Sequence, residues 1–252
     1  PTEIGRKVVE QAWKVLVRAN RIHDIVNEER QSLAGTFSLG ILPTIAPYLL
    51  PRFFTRLQRE HPEADIRVME MKTADIKRAL NRGELDAAIL VSLDDMDHYV
   101  QTPLFYEQFL AYVSRGDALF SHKAIKTSDL NNEFLWLLEE GHCFRDQLVK
   151  FCQLKSADSS KKTYSLGSIE TFMRMVEGGQ GVTFIPELAL EQLSPAQHEL
   201  VRPFALPIPV REVVLLTTRA FVRHSVLNLI ADAVRRSVPQ RMLQFNNTEQ
   251  RV

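Results

Sequence analysis

The sequence predicts an α/β protein with two subdomains that follow a long N-terminal helix. Three observations lead to this fold class: a heptad-like helix before Gly35, alternating strands and helices after it, and a last strand and helix that can return to the first subdomain. Strands separated by helices of roughly ten residues or more pair in parallel within an α/β sheet. A chain of 252 residues can form two modest domains with buried cores.

Residues 1–32 predict a dimerisation helix. Apolar side chains recur there at spacings of four and three, at Ile4, Val8, Ala12, Val15, Ala19, Ile22 and Val26. Such a repeat forms an a/d seam, which favours a coiled coil between two copies of the chain. An ordinary amphipathic helix that packs on its own domain is the alternative.

The two predicted subdomains are discontinuous in sequence. We assign residues 33–105 and 212–252 to subdomain I, with strands TFSLGIL, ADIRVMEM, LDAAILVS and EVVLLTT, helices PYLLPRFFTRLQREHP, TADIKRALNRGE and SVLNLIADAVRRS, and a disordered tail QFNNTEQRV. Residues 106–211 form subdomain II, which begins with strands in TPLFYEQFLAYVS. A short helix leading into a strand in KTSDLNNEFLWLLEEGHC follows, then helix FRDQLVKFCQLK, strand YSLGS, helix IETFMRMVEGG and strand GVTFIP. Two crossovers would join the subdomains.

Composition narrows the class of protein. The 31 basic side chains balance 31 acidic ones, which argues against a chain that binds nucleic acid chiefly by its charge. Apolar runs fall short of the roughly 20 residues of a membrane span. The sequence starts at Pro1 without a basic and apolar leader, so we expect no secretory signal, a cytoplasmic location and reduced thiols. No motif indicates a cofactor.

Cys143 and Cys152 are the only cysteines and carry the most informative chemistry. Between them Phe144, Leu148 and Phe151 recur at helical spacing on one face, and charged side chains fall away from that face, at Arg145, Asp146 and Lys150. A helix is therefore expected to begin at or just after Cys143.

Three features are expected to lower the pKa of the Cys143 thiol: the helix N-terminus, the cation Arg145, and His142 when it is protonated. A thiolate attacks peroxide oxygen and becomes a sulfenic acid, which then condenses with a nearby thiol. Cys152 is the candidate partner. Nine helical residues rise about 13.5 Å, whereas a disulfide needs Cα atoms within about 7 Å, so forming the bond must unwind the segment.

Two other interpretations of the cysteines are open. Both thiols can be small buried hydrophobic groups, as free cysteines often are. A metal site of His142, Cys143 and Cys152 is weaker, because it lacks a Cys-x-x-Cys pair and a fourth ligand, and we predict no metal. Thr44 and Thr73 are expected first as helix N-caps and second as polar groups of a ligand site at a sheet edge.

The segment GHCFRDQLVKFC strongly resembles the redox motif of the OxyR family, the hydrogen-peroxide sensors among the LysR-type transcription regulators. GILPTIAPYLLP, LNRGELDAAIL and SIETFMRMVEGGQGVTFIPE are similar to other parts of that family, so that the resemblance spans essentially the whole chain. The pattern Leu-x-x-Gly-x-Leu-Asp is common to LysR-type effector domains and supports the fold more than the function. The sequence departs from the family at Phe144, where a smaller aliphatic residue is common.

The resemblance implies a fold of two periplasmic-binding-protein-like subdomains after the end of a linker helix. It also implies that Cys143 is the peroxidatic cysteine and Cys152 the resolving one. Peroxide-binding or thiolate-activating roles follow for five further residues, namely Thr44, Thr73, His142, Arg145 and Asp146, with Arg145 and Thr44 orienting the peroxide and Asp146 holding Arg145 or His142. The implied partners are hydrogen peroxide, further copies of the chain in a homodimer or homotetramer, a reductant such as glutaredoxin or thioredoxin, and DNA and RNA polymerase through the full-length protein.

Two other functions remain to be separated from peroxide sensing. A LysR-type effector domain can instead bind a small metabolite between its subdomains, in which case Cys143 would be dispensable. A two-cysteine thiol peroxidase would turn peroxide over continuously, but the thioredoxin-like arrangement around the cysteine is missing. We therefore predict a sensor and not an enzyme.

Overall fold

The computed structural model describes residues 2–30, 32–153 and 168–252. Its helices are α1 (Glu3–Glu29), α2 (Ala46–Glu60), α3 (Thr73–Arg82), α4 (Cys143–Cys152), α5 (Ile169–Glu177), α6 (Pro195–His198) and α7 (His224–Ser237). Its strands are β1 (Thr36–Ile41), β2 (Asp65–Glu70), β3 (Ala87–Val91), β4 (Tyr99–Val113), β5 (Val182–Pro186), β6 (Val201–Pro203), β7 (Ile208–Thr218) and β8 (Glu249–Arg251). Short 3-10 helices occupy Ala118–Ser121, Thr127–Asn132, Glu187–Gln192 and Gln240–Leu243.

The chain forms two compact units. Unit 1 comprises Pro1–Leu42, Pro51–Leu104 and Val214–Ser237, and unit 2 comprises Pro43–Leu50, Phe105–Val213 and Val238–Val252. Two segments differ from the sequence-based boundaries, since 43–50 and 238–252 belong to unit 2. The reason lies in their contacts: Thr44 is bound by Arg211, and β8 pairs with the first residues of β7.

Unit 1 is an α/β layer built on a parallel sheet. β1 pairs in parallel with both β2 and β3, and the strand order is β2-β1-β3-β7. Helices α2 and α3 connect the parallel strands, as such pairing requires. All residues of β3 are buried, as expected for a strand covered on both faces. The predicted α/β class is confirmed for this unit.

Unit 2 is a mixed sheet with helices. β4 pairs antiparallel with β5 and β6, while β7 pairs in parallel with β8. Helix α5 has Ser168 as its N-cap, whose side chain accepts a hydrogen bond from the Thr171 amide, and the helix packs on β5. Helix α4 buries Leu148 completely and presents Phe144 to the strands.

Three sequence-based expectations for unit 2 were wrong. The segment TPLFYEQFLAYVS contributes residues 102–113 to one long strand, β4, and not to several strands. The strand expected after Thr127–Asn132 is reduced to an isolated bridge between Leu135 and Val182. The Val182 amide donates to the Phe134 carbonyl, and the Trp136 amide donates to the Val182 carbonyl. The tail contains β8, which is held by pairing with β7 and by the ion pair of Arg251 with Glu212. The predicted strand YSLGS lies outside the described residues, apart from its last residue.

Candidate functional site

Helix α4 begins at Cys143, as the sequence predicted. The N-cap residue His142 has extended backbone angles, and its carbonyl accepts the first helical hydrogen bonds, from the amides of Arg145 at 2.9 Å and Asp146 at 3.2 Å. The side chain of His142 makes no capping hydrogen bond. Cys143 therefore lies in the first turn of α4, where the helix dipole favours negative charge.

The two cysteines lie at opposite ends of the same helix. Both are buried, at 7% and 3% exposure for Cys143 and Cys152, and they are not joined by a disulfide. Nine helical steps separate them by about 13.5 Å along the axis, which is too far for a bond between them. The two thiols cannot be joined while α4 is intact.

Cys152 has an environment that suppresses ionisation. Burial raises the pKa of its thiol from 9.0 to about 12. At neutral pH this side chain is thus a protonated thiol, which is a poor nucleophile toward peroxide. The helix supplies Cys152 with no N-terminal amides, since it lies at the last residue of α4.

Charged groups gather at the Cys143 end of α4. Arg145 lies 3.4 Å from an Asp146 oxygen and 3.8 Å from a Glu140 oxygen. The Nε2 atom of His142 lies 3.8 Å from a carboxylate oxygen of Glu139. Of the predicted site residues, the structure brings His142, Cys143, Arg145 and Asp146 together in this first turn.

The sequence-based placement of Arg145 away from the buried face was wrong. Its side chain is 6% exposed, and its Nε atom is buried without a hydrogen-bond partner among the described residues. The neighbouring carboxylates of Glu140 and Asp146 compensate the positive charge of the buried Arg145 guanidinium. One guanidinium donor therefore remains available to an acceptor next to the thiol-bearing turn.

Thr44 lies in unit 2 as well, and it is not a helix N-cap, because α2 begins two residues later. Arg211 holds it from two sides: Nη1 donates to the Thr44 hydroxyl at 3.2 Å and Nη2 donates to the Thr44 carbonyl at 3.0 Å. The threonine is buried. Its hydroxyl is thus fixed by a buried cation and not by a helix end.

Arg211 also reaches the first turn of α4. Its guanidinium lies 5.0 Å from the centre of the Phe144 ring, and that ring packs 4.8 Å from the ring of Phe109. Phe144 follows Cys143 directly in sequence. Arg211 therefore connects Thr44 with the start of the cysteine-bearing helix.

Sequence reasoning missed Arg211 and its counter-ion Glu107. Both are charged residues within strands that are otherwise largely apolar, VREVVLL and FYEQFLAYV. A buried charge within a strand needs a partner of opposite sign. Arg211 and Glu107 therefore offered a signal of pairing, although Glu212 beside Arg211 left the choice of partner open.

Thr73 belongs to unit 1. It is the first residue of α3, whose N-cap is Lys72, so the expected N-cap role of Thr73 was wrong. Its hydroxyl is buried and has no hydrogen-bond partner among the described residues. This leaves the hydroxyl with unused hydrogen-bonding capacity.

In the described parts of the chain, no group of three His, Cys, Asp or Glu side chains is placed to hold a metal ion. No helix among these residues is both long and apolar enough to cross a membrane.

Residues 30–239 match the family model for the LysR substrate binding domain. A hydrogen peroxide-inducible genes activator from Dickeya chrysanthemi is 30% identical over 234 residues, which are 93% of this chain and 76% of the relative. The DNA-binding transcriptional dual regulator OxyR of Escherichia coli K12 is 29% identical, with 93% and 76% covered.

Solved structures show the same similarity. An OxyR mutant from Porphyromonas gingivalis superposes with a TM-score of 0.81 and 45% identity over 86% of this chain and 100% of that one. The reduced form of OxyR from the same organism gives 0.78 and 45% over 86% and 100%. The fold is therefore the periplasmic-binding-protein-like α/β fold of LysR-type regulatory domains, as the sequence predicted.

Proposed function

Because the chain belongs to the LysR substrate binding domain family, and within it to the hydrogen peroxide-inducible gene activators, we propose that Cys143 is its peroxide-sensing residue. The observation that carries this proposal is the placement of Cys143 at the first residue of α4, in the same helical turn as the buried side chain of Arg145. Helix N-termini and neighbouring cations favour the thiolate, which is the form that reacts with peroxide.

The first chemical step is oxidation of Cys143. The thiolate sulfur attacks one oxygen of hydrogen peroxide, an S–O bond forms, and the O–O bond breaks with departure of hydroxide, which takes up a proton to become water. The Nε–H of Arg145 and the hydroxyl of Thr44, both in unit 2, are the donors that we assign to the peroxide. Asp146 and His142 act on the orientation of Arg145 and on the charge around the thiolate.

The second step joins the cysteines. The Cys152 thiol attacks the sulfenic sulfur of Cys143, so that a disulfide forms and water leaves. Since the raised pKa keeps Cys152 protonated in the buried position, this step follows when α4 opens and exposes that thiol. Oxidation thereby replaces a ten-residue helix by a looped segment, and the change of conformation is the signal.

The active assembly that we propose is a homodimer or homotetramer. Its a/d seam on α1 is exposed in the single chain, with Ile22 at 65% exposure, so that the seam is open to a second copy. Contacts with DNA and RNA polymerase belong to the full-length regulator. A cellular thiol reductant of the glutaredoxin or thioredoxin class restores the two thiols by thiol–disulfide exchange.

Intact-mass analysis after one equivalent of hydrogen peroxide tests the proposal. The wild-type chain is expected to lose two hydrogen atoms through a Cys143–Cys152 link, and Cys152→Ser is expected to gain one oxygen atom that a sulfenic-acid probe detects. Cys143→Ser serves as the matched control and should remain unchanged. An unchanged wild-type mass contradicts the proposal.

Two assays separate this function from its alternatives. If Cys143→Ser retained induction of a target promoter by the natural signal, the chain would be a metabolite sensor. If the wild-type chain consumed peroxide rapidly and continuously with a thiol reductant, it would be a thiol peroxidase. We expect Cys143→Ser to abolish induction, and we expect the wild-type chain to consume little peroxide after its first equivalent.

A further inference from the structure

Unit 2 contains a buried ion pair whose role the steps above do not explain. Glu107 on β4 and Arg211 on β7 are each 1% exposed. The Glu107 Oε2 atom accepts from Arg211 Nε at 2.8 Å and lies 2.6 Å from Nη2. Removing two charges from water is unfavourable, and a hydrophobic pair of the same volume is often at least as stable. A role beyond stability is thus worth testing.

Glu107 is held on both of its oxygens. While Oε2 binds the guanidinium, Oε1 accepts a hydrogen bond at 3.0 Å from the backbone amide of Leu188. The backbone therefore fixes the carboxylate, and the carboxylate fixes the plane of Arg211. A guanidinium held in this way presents its other N–H groups in fixed directions.

Those other N–H groups bind Thr44. Because a guanidinium can only donate, the Thr44 hydroxyl oxygen must accept in the 3.2 Å contact with Nη1. This occupies one lone pair of the hydroxyl and leaves its own hydrogen to be donated elsewhere. Arg211 thus selects the donor role of Thr44.

The same guanidinium lies over the ring of Phe144, the residue after Cys143. A chain of contacts consequently runs from the Leu188 backbone through Glu107 and Arg211 to Thr44 on one side and to the first turn of α4 on the other. All of these residues belong to unit 2.

We infer that Glu107 is a positioning residue for peroxide oxidation, because it locks Arg211 so that the Thr44 hydroxyl donates a hydrogen bond to the peroxide oxygen that leaves as hydroxide. This inference rests on the function proposed for Cys143. A preorganised donor is more effective than one that must first turn away from another acceptor.

Glu107→Gln tests the inference, since the amide has one accepting oxygen where the carboxylate has two. It cannot accept from both Leu188 and Arg211, and its own N–H faces a donor. The measurement is the ratio of two second-order rate constants for Cys143, with hydrogen peroxide and with iodoacetamide, in a Cys152→Ser background. Iodoacetamide needs the thiolate but no donor to a leaving oxygen, so that the ratio is expected to fall about tenfold, as for other supporting residues.

A double variant distinguishes positioning from a general structural effect. Thr44→Val removes the hydroxyl at nearly constant volume and should lower the ratio by itself. Glu107→Gln should then lower it no further, because its effect passes through that hydroxyl. An equal additional decrease in the Thr44→Val background would overturn the inference.

Glu187→Gln is the matched control. Glu187 is another buried carboxylate of unit 2, which accepts from the Gln108 amide and pairs with Arg241, without a hydrogen bond to Arg211 or Thr44. Its replacement should leave the rate ratio within about twofold of the starting value, as expected for a residue outside the chain of contacts. A tenfold fall in this control would show that loss of any buried carboxylate suffices, and the inference would be wrong.

If Glu107→Gln fails to fold, Glu107→Gln combined with Arg211→Gln avoids an unpaired buried charge. That pair should lower the ratio about as much as Thr44→Val, and an unchanged ratio would refute the inference. The proposed function fails separately, if wild-type Cys143 does not react with peroxide. When the wild-type thiol reacts and neither Glu107 variant changes the ratio, only the positioning role is lost.

Discussion

At the scale of single residues, the two cysteines differ because their places on α4 differ. Cys143 lies in the first turn of α4, the turn that also contains Arg145, whereas Cys152 is the last residue of the helix and is buried. The function that we propose for the chain uses this difference: Cys143 is the nucleophile, while burial keeps Cys152 a protonated thiol as long as α4 is intact.

The raised pKa of Cys152 predicts a loss of stability at high pH. The thiol stays protonated in the folded state up to about pH 12 but ionises above about pH 9 once unfolded. The protonated Cys152 thiol thus contributes fully to the free energy of unfolding below about pH 9. This contribution is lost as the pH rises toward about 12, by up to about 1.4 kcal/mol per pH unit. Urea unfolding of Cys143→Ser should show this slope, and Cys143→Ser/Cys152→Ala should lose it. Equal slopes would contradict the prediction.

The buried position of Phe144 predicts that its truncation destabilises the reduced protein. Its ring is buried and contacts both Arg211 and Phe109, so that Phe144→Val should lower the free energy of unfolding of the reduced protein by about 2 kcal/mol. The matched control is Phe151→Val on the same helix, where the ring is only half-buried and the loss should be smaller. Urea titration under reducing conditions measures both. A larger loss of unfolding free energy for Phe151→Val would mean that the contacts of Phe144 with Arg211 and Phe109 are not what stabilises the helix.

At the scale of secondary structure, α4 is connected to the last strand of unit 2. The side chain of Gln147, buried on α4, donates a hydrogen bond of 2.6 Å to the backbone oxygen of Val252, directly after β8. β8 pairs with only three residues of β7. Loss of α4 therefore removes one of the few contacts that keep this strand in place.

Hydrogen exchange tests that connection. After one equivalent of peroxide, amides of α4 and of β8 should exchange faster in the wild-type chain, since the disulfide cannot form on an intact helix. Cys152→Ser reaches the sulfenic acid but not the disulfide, and its exchange should stay close to that of the reduced chain. Gln147→Leu should accelerate exchange in β8 without oxidation. Unchanged exchange in α4 of the oxidised wild type would refute the proposed switch.

At the scale of the whole molecule, α1 has two different surfaces. Near its end Asp24 lies 3.8 Å from Arg223, and the Glu28 carboxylate accepts from the amide of Ser225 in the first turn of α7. These contacts fix the end of α1 to unit 1. The a/d side chains remain exposed along the helix, which favours the coiled coil over packing on its own domain.

Disruption of the seam predicts weaker self-association. Ile22→Glu places a charge on the exposed apolar stripe, so that the dimer should dissociate at least about tenfold more readily in sedimentation velocity experiments. Arg6→Glu introduces the same side chain at an exposed position of α1 away from the seam and should leave association unchanged. Equal behaviour of the two variants would show that the seam is not the contact between copies.

The sequence by itself determined the α/β class, the start of α4 at Cys143, the impossibility of a disulfide within an intact helix, and the apolar stripe along α1. These properties depend on local periodicity and on fixed helix geometry, both of which can be read from spacing alone. The motif around Cys143 also indicated the family that the comparisons confirmed.

Only the tertiary structure decided which distant residues meet. Glu107 and Arg211 are 104 positions apart, and Thr44 is 167 positions from Arg211, so no local pattern could pair them. The order of the tail likewise depends on a partner outside its own segment, because β8 is held by pairing with β7. The spacing of residues along one helix or strand specifies which side chains share a face. The packing of several elements decides which charged side chains are buried together and which hydrogen-bond donors remain unpaired.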